Sequence, residues 1–407
     1  MGRGGMAEVF LASATSSVGD RRLVALKRMH AGLSEDNGAI EMLIAEARLA
    51  MRFDHPNIAT TYELGCHEGV YFFVMEYVDG VDLGTVARAA EALGERIKPA
   101  LVAKIMAGAA RALDHAHCLS DENGQLLGVV HRDVSPQNVL VSRRGAVKLI
   151  DFGVAKVASR IQQTMAGIIK GKYAYMSPEQ ASAEPVDPRS DVFSLGVCLW
   201  ELLCGRPLFR GPEMISPFAI LRAVREDPIP RVDSLVPSIG HELGALVAAA
   251  LERDLPKRLA SADVLASGLE SWLARNAPDF DDEALCIAVN DLIQRAPVGT
   301  LPDRVIATPQ VEKMSEEAFL PSPMSVVARS PLELAGADTD RRPRGRAPAL
   351  MVSPPPLALT AAATAKPASS ARRDLRPSRH IMLQLLWTGI FALIFALGWN
   401  VVATLKR

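Results

Sequence analysis

Residues 129–141 read Val129-Val130-His131-Arg132-Asp133-Val134-Ser135-Pro136-Gln137-Asn138-Val139-Leu140-Val141, and Asp151-Phe152-Gly153 follows at 151–153. Two short β-branched runs, Val129–Val130 and Val139–Val141, flank a polar loop, and a third, Val147–Ile150, leads into Asp151. Such runs read as strands. Asp133 and Asn138 are then expected in one loop, with Asp151 at a neighbouring strand end. Two carboxylates and a carboxamide gathered in this way offer hard oxygen donors to a cation such as Mg2+ and a carboxylate to orient a hydroxyl. Phosphoryl transfer needs that set, because the moving group carries heavy negative charge and asks for metal and positioning more than for covalent chemistry.

At these residues the chain resembles the eukaryotic-type protein kinases of bacteria, the Hanks-type serine/threonine kinases. The resemblance covers about residues 1–275 and implies an α+β, bilobal protein-kinase fold. A small β-sheet lobe with one helix is expected over about 1–78 and a larger helical lobe over about 79–275. It implies Asp133 as catalytic base or hydroxyl positioner, Asn138 and Asp151 as Mg2+ ligands, and ATP as phosphoryl donor. In the family the histidine at His131 braces the loop, so a general-base role for it is set aside. Arg132, beside the base, is placed to receive a phosphorylated activation-segment residue. Thr164 is the leading candidate and Ser159 the reserve, the competing reading being exposed loop hydroxyls.

Upstream, Met1-Gly2-Arg3-Gly4-Gly5-Met6-Ala7-Glu8-Val9 resembles a glycine-rich nucleotide loop, in which Gly2, Gly4 and Gly5 let backbone amides approach phosphates. The third glycine of the pattern is Ala7, and the first strand is expected to be largely missing. Val24-Ala25-Leu26-Lys27 follows at kinase spacing, so Val9 and Ala25 are expected over the nucleotide and Lys27 on its α- and β-phosphates. Glu46, in Ile44-Ala45-Glu46-Ala47-Arg48, is expected to hold Lys27 by an ion pair, with Glu41 the competing partner. Met75 resembles the gatekeeper, and Glu76 to Val78 the hinge that reads an adenine edge. Ser177-Pro178-Glu179 resembles the close of an activation segment, Asp191 opens a long apolar helix, and Arg258 is placed to pair with Glu179.

Two positions depart from the family. Serine/threonine kinases usually carry a lysine two residues after the catalytic aspartate and a threonine next to the glycine before Ser-Pro-Glu; here Ser135 and Lys172 stand there. Lys172 is accordingly expected as a catalytic residue, positive charge near the γ-phosphate having moved from one wall to the other. Ser135 also lacks the alanine-arginine pattern of many tyrosine kinases, so serine and threonine are the expected acceptors.

In the 407 residues, 45 Lys and Arg face 46 Asp and Glu, so no basic field points to nucleic acid. Cys66, Cys118, Cys198, Cys204 and Cys286 lack metal or disulfide spacing and read as buried free thiols. No leader-like segment opens the chain, so its folded part is expected to stay where it is made. Residues 276–296 read as an accessory helix and 297–380, rich in Pro, Ala, Ser and Arg, as a disordered linker. Residues 381–405 carry no charge over a length that spans a bilayer and read as a transmembrane helix. Arg372, Arg373, Arg376 and Arg379 precede it while only Lys406 and Arg407 follow, which places the kinase on the cytoplasmic face of the inner membrane. A stripe of small and polar residues from Gln384 to Thr404 suggests a homodimer contact within lipid, with trans-autophosphorylation.

The expected function is ATP- and Mg2+-dependent phosphorylation of protein hydroxyls, with autophosphorylation, in bacterial signalling. The alternative is a pseudokinase acting as a membrane-tethered scaffold. Lys27, Asp133, Asn138 and Asp151 count against it, and the shortened sheet and Ser135 count for it.

Overall fold

The computed structural model describes residues 2–3, 7–15, 21–29, 37–152, 172–209 and 216–301. The chain divides into two units, Met1–Leu320 and Pro321–Arg407, and every described residue belongs to the first. The glycine-loop positions Gly4 and Gly5, the phosphorylation candidates Ser159 and Thr164, and the segments read as linker and transmembrane helix lie outside the described residues. Among the described residues no helix is long and apolar enough to cross a membrane.

The small lobe is an antiparallel five-stranded sheet in the order β1-β2-β3-β5-β4. Its strands are β1 (Gly2–Arg3), β2 (Ala7–Thr15), β3 (Arg21–Met29), β4 (Thr61–His67) and β5 (Val70–Glu76). Alternation gives the sheet one buried face: Ala7, Met29 and Phe73 meet Leu43 and Ala47 of helix α1 (Asn37–Ala50) in a core of five residues. The first strand holds only two residues, pairing Gly2 with Val9 and Arg3 with Glu8.

The large lobe is built around α3 (Pro99–His117) and α4 (Pro188–Cys204). Helix α4 is apolar on all sides and buried along nearly its whole length, as a helix without a polar face must be. It starts at the Asp187 cap, with Pro188 in its first turn, and ends at Gly205, whose φ of 66° lets the chain turn left-handed. Helices α5 (Pro217–Glu226), α6 (Gly240–Ala250) and α7 (Ala262–Asn276) complete the lobe. A second sheet, β6 (Gly80–Asp82), β7 (Val139–Ser142) and β8 (Val147–Leu149), lies beside helix α2 (Leu83–Ala92) and carries the polar loop.

Two expectations need correction, and one helix goes unread. Val129–Val130 forms no strand, because β7 already has β6 on one edge and β8 on the other. Helix α2 is not read in the sequence at all. Cys198 and Cys204 are buried, but Cys66 and Cys118 are exposed, since they stand near the ends of β4 and α3 where the lobes meet solvent; all five thiols are free.

Helix α8 (Asp282–Arg295), where the accessory helix is expected, packs against α2, α3 and β7 through Leu285, Val289 and Leu292. Arg295 pairs with Glu95, and Lys104 with Asp282. Gly145, at φ 82°, takes the close approach: a Cβ there would stand 2.0 Å from the carbonyl oxygen of Asp282.

Candidate active site

Asp133 lies on the loop between α3 and β7. The Asn138 Nδ2 donates to its carbonyl oxygen at 2.7 Å and to its carboxylate Oδ2 at 3.1 Å. Asn138 itself is fixed by the short turn Pro136–Asn138 and by accepting Ile150 N–H on its carbonyl at 3.0 Å. The ammonium of Lys172 reaches the same Asp133 Oδ2. Across the cleft, Lys27 Nζ stands 2.6 Å from Asp151 Oδ1. The five polar groups named from the sequence as closest to the chemistry thus gather where the lobes meet, Asp133, Asn138, Asp151 and Lys172 on the large lobe and Lys27 on the small one.

The backbone is strained at Asp151 and at Arg132, the residue before Asp133. Arg132 has φ 68° and Asp151 φ 65°, left-handed values uncommon in residues other than glycine. Such a conformation persists only when neighbours over-determine it. Asp191, fully buried at the start of α4, supplies part of that constraint. Its carboxylate accepts the N–H groups of His131 and Arg132 at 2.8 Å each, and the ring of His117 at 2.8 Å. His131 supplies more. Its Nδ1 accepts Asp133 N–H at 3.3 Å and its Nε2 meets the carbonyl oxygen of Ile150 at 3.0 Å, which assigns the proton to Nε2. With both ring nitrogens engaged, His131 bridges the loop to the strand that ends at Asp151. Its ring also packs edge-on against Phe152 at 4.7 Å.

Burial pushes the Asp151 carboxyl up, but the Lys27 ammonium, by charge and hydrogen bond, together with Lys172 and His131, outweighs it and holds the group below the usual carboxylate range. The carboxylate is therefore ionised at neutral pH and suited to a cation. Among the described residues no three His, Cys, Asp or Glu side chains cluster as a metal cage. One carboxylate and one carboxamide fit Mg2+, which keeps several waters and draws further oxygens from substrate phosphates.

Lys27 forms an ion pair with an acid of the other lobe. Its partner is Asp151, brought within reach by the turn at the end of β8, whereas Glu46 is buried on α1 and the competing Glu41 is exposed to solvent. An ammonium in a cleft of low dielectric takes the carboxylate that comes nearest. Above Lys27, β3 sets Ala25 opposite Met75, and β2 sets Val9 opposite Lys27. Lys27, Phe53, Thr61, Met75, Asp151 and Phe152 line a small pocket between the lobes. At the hinge, Glu76 N–H donates to Thr60 O at 2.8 Å, so that peptide hydrogen is committed. Among the described residues the peptides of Tyr77 and Val78, at the same hinge, take no backbone hydrogen bond.

Arg258 reaches Glu179 in a fork, Nη1 to Oε1 at 2.8 Å and Nη2 to Oε2 at 3.1 Å, and Ser190 Oγ donates to Oε1 at 2.5 Å. Burial raises the Glu179 carboxyl, but these donors outweigh it and hold the group low. The turn Pro178–Ala181 starts at a capping box between Ser177 and Gln180, and Gln180 Nε2 donates to the carbonyl of Arg132 at 2.9 Å. The end of the activation segment is thereby tied to the strained loop.

Two contributors are missed in the sequence. Lys148, the outward residue of β8, donates to Glu76 Oε2 at 2.9 Å and so ties the hinge to the strand that leads into Asp151. A lone lysine between Val147 and Leu149 is its only sequence signal. His117, closing α3, supports Asp191 with no local cue at all.

This arrangement belongs to a known class. Residues 1–269 match the model of the protein kinase domain, and the chain belongs to the protein kinase family. It is 40% identical over 277 residues to the tyrosine-protein kinase MasK of Myxococcus xanthus, covering 68% of this chain and 42% of that protein. It is 37% identical over 296 residues to the serine/threonine-protein kinase PknB of Mycolicibacterium smegmatis, covering 69% of this chain and 43% of that one. The chain thus spans less than half the length of these curated relatives. The crystal structure of the Mycobacterium tuberculosis PknI kinase domain aligns with a TM-score of 0.51 at 24% identity, over 67% of this chain and 93% of that one. That likeness shows the fold.

Proposed function

We propose that the chain transfers the terminal phosphoryl group of ATP, with Mg2+, to serine and threonine hydroxyls of proteins, its own activation segment included. The observation that supports this most is the meeting of Asp133, Asn138, Asp151 and Lys172 of the large lobe with Lys27 of the small lobe. Mg2+ supplies charge neutralisation on the phosphates when bound. Asn138 and Asp151 hold the cation, while Lys27 orients the phosphates. Asp133 orients the acceptor hydroxyl and accepts its proton as the oxygen bonds phosphorus. Arg132, with its Nε buried and without a hydrogen-bond partner, is the group that would receive phosphate from Ser159 or Thr164. Residues 381–405 anchor the kinase to the inner face of the cytoplasmic membrane in this reading, with their small-residue stripe available for pairing.

Serine and threonine are favoured as acceptors by the PknB relative. The name of MasK favours tyrosine. Incubation with labelled ATP and a generic basic protein, then acid hydrolysis and separation of phosphoamino acids, decides between them. Phosphoserine and phosphothreonine, lost with Asp133→Asn, are expected. Phosphotyrosine alone would overturn the acceptor assignment, and label that survives Asp133→Asn would overturn the site.

A further inference from the structure

We infer that Lys172 is the cation for the terminal phosphate of the nucleotide, supplied from the activation segment because the catalytic loop has none. The inference rests on the nucleotide reading proposed above.

The loop wall is the first observation. Two residues after Asp133 stands Ser135, only 1% exposed, in an extended conformation, with its hydroxyl buried and without a hydrogen-bond partner. A neutral side chain turned into the protein offers no charge to a phosphate. Among the described residues, the site's carboxylates are touched by Lys27, on Asp151, and by Lys172, on Asp133.

The second observation is how Lys172 is held. It opens the short turn Lys172–Tyr175, whose far end is buried and fixed to α4 by the Tyr175 hydroxyl donating to Glu201 Oε2 at 2.8 Å. A few residues on, Gln180 holds the carbonyl of Arg132. The backbone that carries Lys172 is thus anchored to the same platform as Asp133. Its side chain, 46% exposed, leaves solvent to seat on a carboxylate that is 25% exposed. An exposed lysine gains little stability from one such pair, so the contact is better explained by what it does to the cleft. Its ammonium meets the same Asp133 oxygen that accepts Asn138 Nδ2, on the loop that the Ile150 N–H ties to the strand leading into Asp151. That is the space where a third phosphate would lie, between the hydroxyl-orienting carboxylate and the cation-binding one.

A group that faces only the third phosphate discriminates ATP from ADP. The full-length protein is titrated, in Mg2+, with ADP and with a non-hydrolysable triphosphate analogue, as wild type, Lys172→Met and Lys172→Arg. One charge-assisted hydrogen bond corresponds to about tenfold in affinity or more. Lys172→Met should lose about that much of the preference for the triphosphate while ADP affinity stays within about twofold, and Lys172→Arg should keep most of it. An unaltered preference in Lys172→Met, or an equal loss in both variants, would overturn the inference. Wild type that binds neither nucleotide would overturn the nucleotide reading and this inference with it. Wild type that binds both, alongside an indifferent Lys172→Met, sinks this inference alone.

Discussion

The two lobes solve unequal problems. The small lobe holds its sheet and α1 together with a core of Ala7, Met29, Leu43, Ala47 and Phe73. The large lobe has a continuous core running from Phe53 through α3 and α4 to Leu301, and it carries the strained Arg132 and Asp151, the buried Asp191 and the Arg258–Glu179 pair. The strained Arg132 and Asp151 require a stiff frame around them, and the core of the large lobe provides it. Lys27 rides on the more lightly packed sheet of the small lobe. Protection of amides against hydrogen exchange should follow this split, highest in α4 and lower in β2 and β3.

The largest effect that would break the comparison is at Arg258. Arg258→Met leaves Glu179 buried without its partner and should destabilise the large lobe by about 3–5 kcal/mol in denaturant unfolding. A loss under about 1 kcal/mol would show that the lobe does not depend on that pair. Next comes Leu43→Ala, expected to cost about 2–3 kcal/mol. Because Leu43 belongs to the small core, the substitution should lower exchange protection in α1 and β3 while α4 keeps its own. Equal loss in both lobes would mean they unfold as one.

Acid should act mainly on the large lobe. Glu179 titrates below its ordinary value, so its contribution is complete above the unfolded value, about 4.3, and is lost as pH falls through the lower folded one. Asp151 and Asp187 shift in the same direction and add to the slope. Unfolding midpoints followed from pH 7 downward should therefore drop at the acid end, and less steeply in Arg258→Met; parallel curves would refute the assignment to Glu179. The smallest effect is expected at Glu41, exposed on α1, where Glu41→Gln should change stability by less than about 0.5 kcal/mol and leave turnover alone. A marked fall in turnover would return Glu41 to contention as a partner of Lys27.

Sequence reading reaches as far as local spacing does. The Asp133, Asn138 and Asp151 set is legible because one loop and two adjoining strands bring these residues together, and α4 is legible because its apolar run has no polar face. Helix α2 is not legible, being short and rich in alanine, so its period is weak. The supporting contacts are not legible either: Lys27 to Asp151, Lys148 to Glu76 and His117 to Asp191 join residues 124, 72 and 74 positions apart. Only the packing of separate elements chooses among the partners available to each. Val129–Val130 fails for a related reason, since β propensity states that a run can be a strand but not whether a sheet edge is free to take it.

In the proposed function Asp133 serves the transfer of phosphate and not the binding of nucleotide. That role is tested most directly by comparing Asp133→Asn with wild type for nucleotide affinity and for single-turnover phosphorylation of a protein substrate. Nucleotide affinity should stay within about twofold of wild type while the rate falls by about 10^2–10^4-fold, the range expected for loss of a positioned base. Transfer at the wild-type rate in Asp133→Asn would contradict it.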